Sequence, residues 1–287
     1  MAVLLLFFFS LFTILSAQPS IVDRNVTVSY DGSGNFTTIG EAIESAPSLS
    51  TSIYVIYITK GENRENVVIP QHKKNLVFVG DGMLNTKIIG DRSNATGFGT
   101  QDTATVVVLG DGFIVQDIAI INAAGPDGNQ VVALGTEADR CVFYKCRIEA
   151  YQDSLYAKKY NQFYRECDIL GTVDFIFGQS STILQNCNIY CRKPNLGQSI
   201  TIVADGRDTL NRNTGIVLHN CSVLATPELE ALKQDFFSYF GRPWRNYSCL
   251  NLKSRLLLLL VKLFKYGNLY CFGFEVFWNV GSMADLL

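Results

Sequence analysis

The sequence predicts an all-β protein, a parallel β-helix, and three observations support this fold class. The 287 residues include 23 Gly, 19 Phe and 13 Tyr, and aromatic side chains favour strands whereas glycine favours turns. Short apolar segments followed by turn residues recur along most of the chain. Four of them align a cysteine, and these cysteines lie 21, 20 and 34 residues apart, at Cys146, Cys167, Cys187 and Cys221. A period near 20 residues is typical of a solenoid, in which each coil buries its inward side chains on the next.

Residues 1–17 predict a secretory signal peptide. An apolar run from Val3 to Leu15 is followed by the small residues Ser16 and Ala17, as expected of a segment removed on export. A transmembrane anchor needs about 20 apolar residues, and the polar Gln18 comes too early for one. We therefore expect an extracellular protein whose glycosylation sequons are accessible to modification. These sequons begin at Asn25, Asn35, Asn94, Asn220 and Asn246.

A short helix is expected before the first coils. Thr38 is a candidate N-cap with Glu41 three residues later, the spacing of a capping box. Ile39, Ala42 and Ile43 would share one face of this helix, which would cover the open end of the solenoid. Thr226 and Pro227 predict a second short helix, PELEALKQ, inside the insertion of the longer coil.

Strands and turns alternate between these two helices. The segments VYITKG, NLVFVGDG, TVVVLGDG and FIVQDIAIIN come first, and the four cysteine segments follow. Each strand is followed by a turn rich in Gly, Asp or Asn. The cysteines are expected to stack as a ladder of thiols, although a bridge between Cys187 and Cys221 is an alternative that spacing cannot decide.

Composition excludes several classes of function. The formal net charge is −2, which leaves no excess of cations to neutralise a nucleic-acid backbone. There is no Gly-x-Ser-x-Gly motif and only two histidines, His72 and His219, so a serine triad is not expected. Cys187 and Cys191 lack a second pair at zinc-finger spacing. We expect no cofactor, no metal site and a monomer.

The candidate chemistry centres on two aspartates. Asp153 and Asp174 are 21 residues apart, which is one coil, and stacked strands lie about 4.8 Å apart. Two carboxylates that close do not both ionise easily, so one of them provides an acid and the other a nucleophile or base. A solvated pair or a metal site is the alternative. Their aromatic and β-branched settings, YQDSLY and GTVDFIFG, favour catalysis.

Four further side chains are candidates for the same site. Gln152 precedes Asp153, and Gln130 lies one coil earlier; amide N–H groups are a common device for stabilising an oxyanion. Arg242 could hold an ionised carboxylate with two hydrogen bonds, and Trp244 offers a flat apolar face for a sugar ring. Taken singly, each glutamine could equally be a surface residue, and Arg242 and Trp244 could be structural anchors.

These segments resemble the plant pectinesterases, also called pectin methylesterases. The matching blocks, in the order that the family has them, are GDGFIVQDIAIINAAGP (110–126), QVVAL (130–134), YQDSLY (151–156), GTVDFIFG (171–178) and GRPW (241–244). The resemblance covers residues 26–248. It implies a right-handed parallel β-helix that removes methyl esters from homogalacturonan, in the cell wall or elsewhere outside the cell.

The resemblance also implies a role for each candidate residue. Asp174 would be the nucleophile and Asp153 the general acid and then the base. Gln130 and Gln152 would form the oxyanion hole, Arg242 would pair with Asp174, and Trp244 would contact the substrate. The implied partners are methyl-esterified homogalacturonan and a proteinaceous pectinesterase inhibitor.

The resemblance has three departures. Asn63 occupies a position where the family usually has tyrosine, next to the substrate groove. The inhibitor-like region that precedes the catalytic part of many relatives is not expected here. After Ser248 the resemblance stops, and residues 249–287 read as a divergent tail in which Leu256–Val261 is too short to span a bilayer.

Three functions are therefore compatible with the sequence. The first is a secreted pectinesterase whose catalytic domain is residues 18–248. The second is a catalytically impaired β-helix that only binds pectin because its C-terminal coils are altered. The third is a pectin-cleaving glycosidase or lyase on the same architecture, although acidic Ca²⁺-binding clusters are not evident.

Overall fold

The fold is a right-handed parallel β-helix, as the repeat predicts. In the computed structural model, the described residues are 24–232, 234–253, 262–264 and 271–275. Three parallel sheets, here called A, B and C, run along the solenoid, and from Tyr54–Ile58 to Ser238–Pro243 each coil contributes one strand to each of them in turn. The predicted signal peptide and the Leu256–Val261 run lie outside the described residues. Within those residues, no helix is long and apolar enough to cross a membrane.

Sheet A has ten strands: Val26–Val28, Tyr54–Ile58, Leu76–Val79, Ile114–Gln116, Cys141–Tyr144, Asn161–Arg165, Ser181–Gln185, Gly215–His219, Cys249–Lys253 and Cys271–Glu275. Sheet B has seven: Gly61–Asn63, Thr86–Gly90, Ala119–Asn122, Arg147–Glu149, Asp168–Gly171, Asn188–Cys191 and Ser222–Ala225. Sheet C has eight: Val67–Ile69, Val106–Val108, Leu134–Glu137, Leu155–Lys159, Ile176–Gly178, Ile200–Asp205, Ser238–Pro243 and Lys262–Phe264. Three short 3-10 helices lie in the loops: Asn94–Thr96, Thr100–Thr103 and Pro126–Gly128.

The turn from sheet A to sheet B explains the repeated cysteines. Each of the four turns has a residue with positive φ followed by a buried cysteine. The positive-φ residues are Lys145, Glu166, Asn186 and Asn220, with φ between 49° and 55°. This conformation bends the strand sharply, so the cysteine that follows points into the solenoid, where a small apolar side chain fits under the next coil. Cys146, Cys167, Cys187 and Cys221 are thiols in this structure.

The interior is packed in columns that run from coil to coil. Phe78, Phe113, Phe143 and Tyr164 form one such column; Phe78 and Phe113 meet edge to face, and Phe143 and Tyr164 are stacked with centroids 4.6 Å apart. All four side chains are buried, and aromatic pairs of this geometry stabilise beyond the area that they bury. The buried hydroxyl of Tyr164 donates to the Gln162 side chain, which avoids an unsatisfied polar group.

Helix α1, Ile39–Ser45, covers the N-terminal end of the solenoid as predicted. The Thr38 side chain accepts from the Glu41 N–H, and Ile39, Ala42 and Ile43 are buried. The Glu65 carboxylate accepts from the Ile39 and Gly40 N–H groups, which are the remaining donors of the first turn.

Lys73 closes the other end of helix α1. Its ammonium group is buried and donates to the carbonyls of Glu44 and Ala46, at 2.8 and 2.6 Å. The lysine charge thus meets the negative end of the helix dipole. Two side chains from later coils, Glu65 and Lys73, therefore fix this cap to the solenoid.

Asn63 lies away from the predicted substrate groove. It is on a strand of sheet B, it is 5% exposed, and its side chain donates to the carbonyl of Lys87 in the next coil. The candidate catalytic residues lie instead around sheet C. The asparagine at this position is therefore buried in the solenoid, where it links two coils.

The second predicted helix is present but short. Helix α2 spans Pro227–Glu230, with Thr226 at its N-cap. Beyond Ser248, the strands Cys249–Lys253 and Cys271–Glu275 extend sheet A, and Lys262–Phe264 pairs with the last complete strand of sheet C. Parallel pairing thus continues past the predicted boundary at residue 248.

Candidate active site

Asp153 and Asp174 lie side by side on the turns that lead into sheet C. Leu155 pairs with Ile176 in the parallel register, and each aspartate is two residues before its member of this pair. The Asp153 N–H donates to the Val173 carbonyl at 3.0 Å, so the backbone pairing extends into the turns. Each aspartate is 7% exposed, and stacked strands are about 4.8 Å apart. The two carboxyl groups therefore share one small, mostly dehydrated volume.

Both aspartates have the left-handed backbone conformation. Their φ angles are 67° for Asp153 and 51° for Asp174. Aspartate and asparagine tolerate this region better than other non-glycine residues. An Asp→Asn replacement at either position therefore removes the carboxyl group without demanding a new backbone conformation.

Arg242 holds Asp174 in a two-point ion pair. Its Nε donates to both carboxylate oxygens, at 2.8 Å to Oδ1 and 2.9 Å to Oδ2, and its Nη2 donates to Oδ2. Arg242 lies two coils further along sheet C, in the column that contains Phe177 and Ala204. Because the Ala204 side chain is small, the Arg242 side chain can extend over the coil of Ala204 and reach Asp174 in the coil before it. This fork geometry fixes the orientation of the carboxylate as well as its charge.

Asp153 has a different electrostatic environment. Burial raises the pKa of Asp153 well above its usual value, and the nearby charge of Asp174 raises it further, while Arg242 opposes the shift. The aspartate that pairs with Arg242 is thus next to one whose buried carboxyl group has a raised pKa. Two residues of one type therefore have opposite electrostatic environments within one site.

The raised pKa of Asp153 predicts a pH-dependent loss of stability. In the unfolded chain this aspartate ionises near pH 4, whereas the folded protein retains the proton to higher pH. Stability is then fully present below the unfolded pKa and is lost as pH rises through the folded pKa, by up to about 1.4 kcal/mol per pH unit. We expect Asp153→Asn, which cannot ionise, to lack this component in thermal unfolding measured from pH 4 to pH 8. Equal pH slopes for the parent and the variant would contradict it.

Gln130 and Gln152 form a backbone bridge between the coil of Asp153 and the coil before it. Their backbones pair in parallel, and the Val131 N–H donates to the Gln152 carbonyl at 3.1 Å. The Asn94 N–H holds the carbonyl of Gln130 at 3.0 Å. Asn129, the residue before it, has φ 57° and ψ −122°, a conformation that costs energy for a non-glycine residue. The two half-buried glutamines are therefore neighbours in adjacent coils, and Gln152 directly precedes Asp153 in the chain.

An aromatic strip borders the carboxylates on the outer face of sheet C. Tyr156 and Phe177 are stacked with ring centroids 4.3 Å apart, and Phe177 meets Trp244 edge to face at 5.9 Å. Of these three, the sequence analysis singled out only Trp244. The signal for the other two was present, since Tyr156 and Phe177 are one 21-residue coil apart, like the aspartates.

Gly206 gives Trp244 the space that it occupies. A Cβ at Gly206 would lie 2.6 Å from the indole Cε3 and 3.0 Å from the side chain of Gln179. The Trp244 N–H donates to the Asp205 carbonyl at 3.0 Å. The bonded backbone and the missing side chain together let the indole ring lie close to the backbone of Gly206.

We expect Gly206→Ala to weaken substrate binding without affecting the carboxylates. The new methyl group would displace the indole and lose about 0.5–1.5 kcal/mol of stacking, a rise in KM of roughly 2- to 10-fold with kcat retained. Steady-state kinetics on a polymeric substrate measures both quantities. Gly40→Ala, where the nearest atom to the new Cβ would be 3.7 Å away, is the control. A fall in kcat with KM unchanged would show that Trp244 acts on the reaction and not on binding.

Comparison with known proteins places this arrangement in a family. The family model described as Pectinesterase matches residues 25–259. The chain belongs to the pectinesterase family. The match ends eleven residues beyond Ser248, so the family pattern continues somewhat further than the sequence analysis expected.

Relatives and solved structures agree with this assignment. "Probable pectinesterase/pectinesterase inhibitor 39" of Arabidopsis thaliana is 45% identical over 235 residues, which is 82% of this chain and 44% of the relative. "Pectin methylesterase from Carrot" is 44% identical with a TM-score of 0.80, covering 82% of this chain and 74% of that one. A pectin methylesterase in complex with a hexasaccharide is 25% identical with a TM-score of 0.70, covering 79% and 78% of the two chains. The chain spans about two fifths of the length of the curated relatives that it matches.

Proposed function

We propose that this pectinesterase-family protein is a carboxylic ester hydrolase that removes methyl esters from homogalacturonan, giving pectate and methanol. One observation carries the proposal: two adjacent aspartates have opposite environments, since Asp174 is paired with Arg242 and Asp153 is buried with a raised pKa. A carboxylate and a carboxylic acid at this separation are suited to attack an ester and protonate its leaving group. Membership of the family favours the same chemistry.

In the first half of the proposed reaction, the Asp174 carboxylate attacks the carbonyl carbon of the methyl ester. The carbonyl π electrons move to oxygen, and the amide N–H groups of Gln130 and Gln152 stabilise the resulting oxyanion. When the tetrahedral intermediate collapses, the C–O bond to the methoxy group breaks and Asp153 donates its proton. Methanol leaves, and an anhydride joins Asp174 to the uronic acid.

In the second half, water completes the hydrolysis. Asp153, now a carboxylate, takes a proton from a water molecule as the water oxygen attacks the acyl carbon. The anhydride bond breaks, Asp174 leaves as a carboxylate beside Arg242, and Asp153 again holds a proton. The balance is one ester and one water consumed, with one methanol and one uronic acid formed.

The surroundings of the site favour a polymeric sugar substrate. Trp244 and the Tyr156–Phe177 stack present flat apolar faces next to the carboxylates, and such faces suit the apolar side of a sugar ring. The hexasaccharide complex of a solved relative is consistent with an oligosaccharide site. We also propose secretion, from the apolar N-terminal run, and a proteinaceous pectinesterase inhibitor as a partner, since relatives are named for both activities.

A methanol-release assay on methyl-esterified pectin tests the proposal. The purified protein should release methanol while the length of the polymer stays constant. Polymer cleavage would instead indicate a glycosidase or lyase. Binding to pectin without methanol would indicate the catalytically impaired β-helix, an alternative favoured by the end of the family match at residue 259.

A further inference from the structure

Arg192 makes an unusual set of contacts with the turn that carries Gln152 and Asp153. It follows the sheet B strand Asn188–Cys191, two coils after that turn. Its Nη1 donates to the Ala150 carbonyl at 2.9 Å, and its Nη2 donates to the Tyr151 hydroxyl at 2.9 Å. The guanidinium carbon lies 3.8 Å from the centroid of the Tyr151 ring. Three different interactions therefore converge on the two residues immediately before Gln152.

The backbone of Arg192 is hydrogen-bonded to the coil that lies between its own coil and the coil of the Gln152–Asp153 turn. Its N–H donates to the Gly171 carbonyl at 2.8 Å, three residues before Asp174. The Thr172 N–H in that same coil donates to the Tyr151 carbonyl at 2.9 Å. One residue thus links the Gln152–Asp153 turn, the approach to Asp174 and its own coil. Its side chain is only 17% exposed, so it is held in one conformation despite the entropy that this costs a long side chain.

We propose that Arg192 is a positioning residue for ester hydrolysis. Because its guanidinium group binds Ala150 and Tyr151, it fixes the position of the Gln152–Asp153 turn relative to Asp174 in the next coil. This inference rests on the proposed function, since it assigns Arg192 to the alignment of the oxyanion donor and the acid with the nucleophile. Such alignment affects the transition state more than substrate binding, and a misplacement of about 1 Å can cost up to about 10²-fold in rate.

The central variant is Arg192→Ala. We expect kcat for methanol release to fall by about 10- to 10²-fold, with KM nearly unchanged. Free guanidinium, added far below denaturing concentrations, should restore part of the lost kcat because it can occupy the vacated space over Tyr151. Thermal unfolding of the same preparation separates this role from a purely structural one, which would lower stability and leave kcat of the folded fraction unchanged. Tyr151→Phe, which retains the ring and loses the hydroxyl acceptor, should give a smaller decrease.

Arg147→Ala is the matched control. Arg147 donates to Glu149 at 2.7 Å, and Glu149 is also 3.4 Å from Arg192, but no contact joins Arg147 to Ala150 or Tyr151 among the described residues. Both variants remove one arginine beside the same carboxylate. We expect Arg147→Ala to retain the kcat of the parent.

Several outcomes would overturn the inference. These are a kcat for Arg192→Ala within twofold of the parent, an equal loss in Arg147→Ala, or a loss that guanidinium does not restore. If thermal unfolding shows that Arg192→Ala does not fold, Arg192→Lys replaces it, and a parent-like kcat there would show that the guanidinium shape is not required. Methanol release by the parent is measured first, so that a failure of the proposed function is recognised separately.

Discussion

The Asp174→Asn variant should release methanol about 10⁴-fold more slowly than the parent, or slower still. An amide has no negative charge with which to attack the ester carbon, and it cannot form the proposed anhydride with the uronic acid. Asparagine tolerates the φ of 51° at this position, so we expect the coil to keep its register. Methanol release and thermal unfolding, measured on the same preparation, separate lost chemistry from lost structure.

Asp168→Asn provides a matched control for this variant. Asp168 is also a buried aspartate, 9% exposed, and it accepts from the Asn188 side chain at 2.9 Å, but it lies on sheet B outside the candidate site. Its replacement should leave methanol release near the parent rate. Residual activity of Asp174→Asn within about tenfold of the parent would show that another group is the nucleophile.

Replacing Gln152 or Gln130 by alanine should lower kcat by about 10² to 10³, with little change in KM. Each amide is expected to strengthen its hydrogen bond only when the ester oxygen gains charge, so the ground-state complex loses little. Steady-state kinetics on methyl-esterified pectin measures the two constants separately. Gln185→Ala is the control, because Gln185 lies on sheet A, where it bonds to His219. A change confined to KM would place the amides in substrate binding.

The period of the cysteines was sufficient to predict both the fold and the aspartate pair. Each coil from Cys146 to Cys187 repeats the same turn, so spacing along the chain converts directly into stacking. Gln130 fits this rule less well, since Leu134 pairs with Leu155 after 21 residues but Gln130 pairs with Gln152 after 22. One extra residue in a turn changes the spacing between paired residues, so a fixed 21-residue period predicts the partner of Gln130 less accurately.

The repeat period could not predict the long-range contacts that side chains make between distant coils. Arg242 is 68 residues from Asp174, and the longer loops between them conceal the number of coils. Lys73 and Glu65 bind a helix that precedes them by about 25 residues, through side chains whose reach no repeat encodes. Arg192 was missed for the same reason, since its function depends on the direction of a flexible side chain and not on its position in the coil.

The ion pair between Asp174 and Arg242 has a consequence for the order in which the protein matures. Synthesis proceeds from the N-terminus, and solenoid coils can stack as soon as their neighbours exist. Both carboxyl groups and both amides are present once residue 174 has folded, but the cation arrives only with the strand Ser238–Pro243, two coils later. Until that strand docks, the two carboxyl groups lie in adjacent coils without the guanidinium group that pairs with Asp174 in the complete fold. We therefore expect the proposed site to become complete only when the strand Ser238–Pro243 has docked on the coils before it.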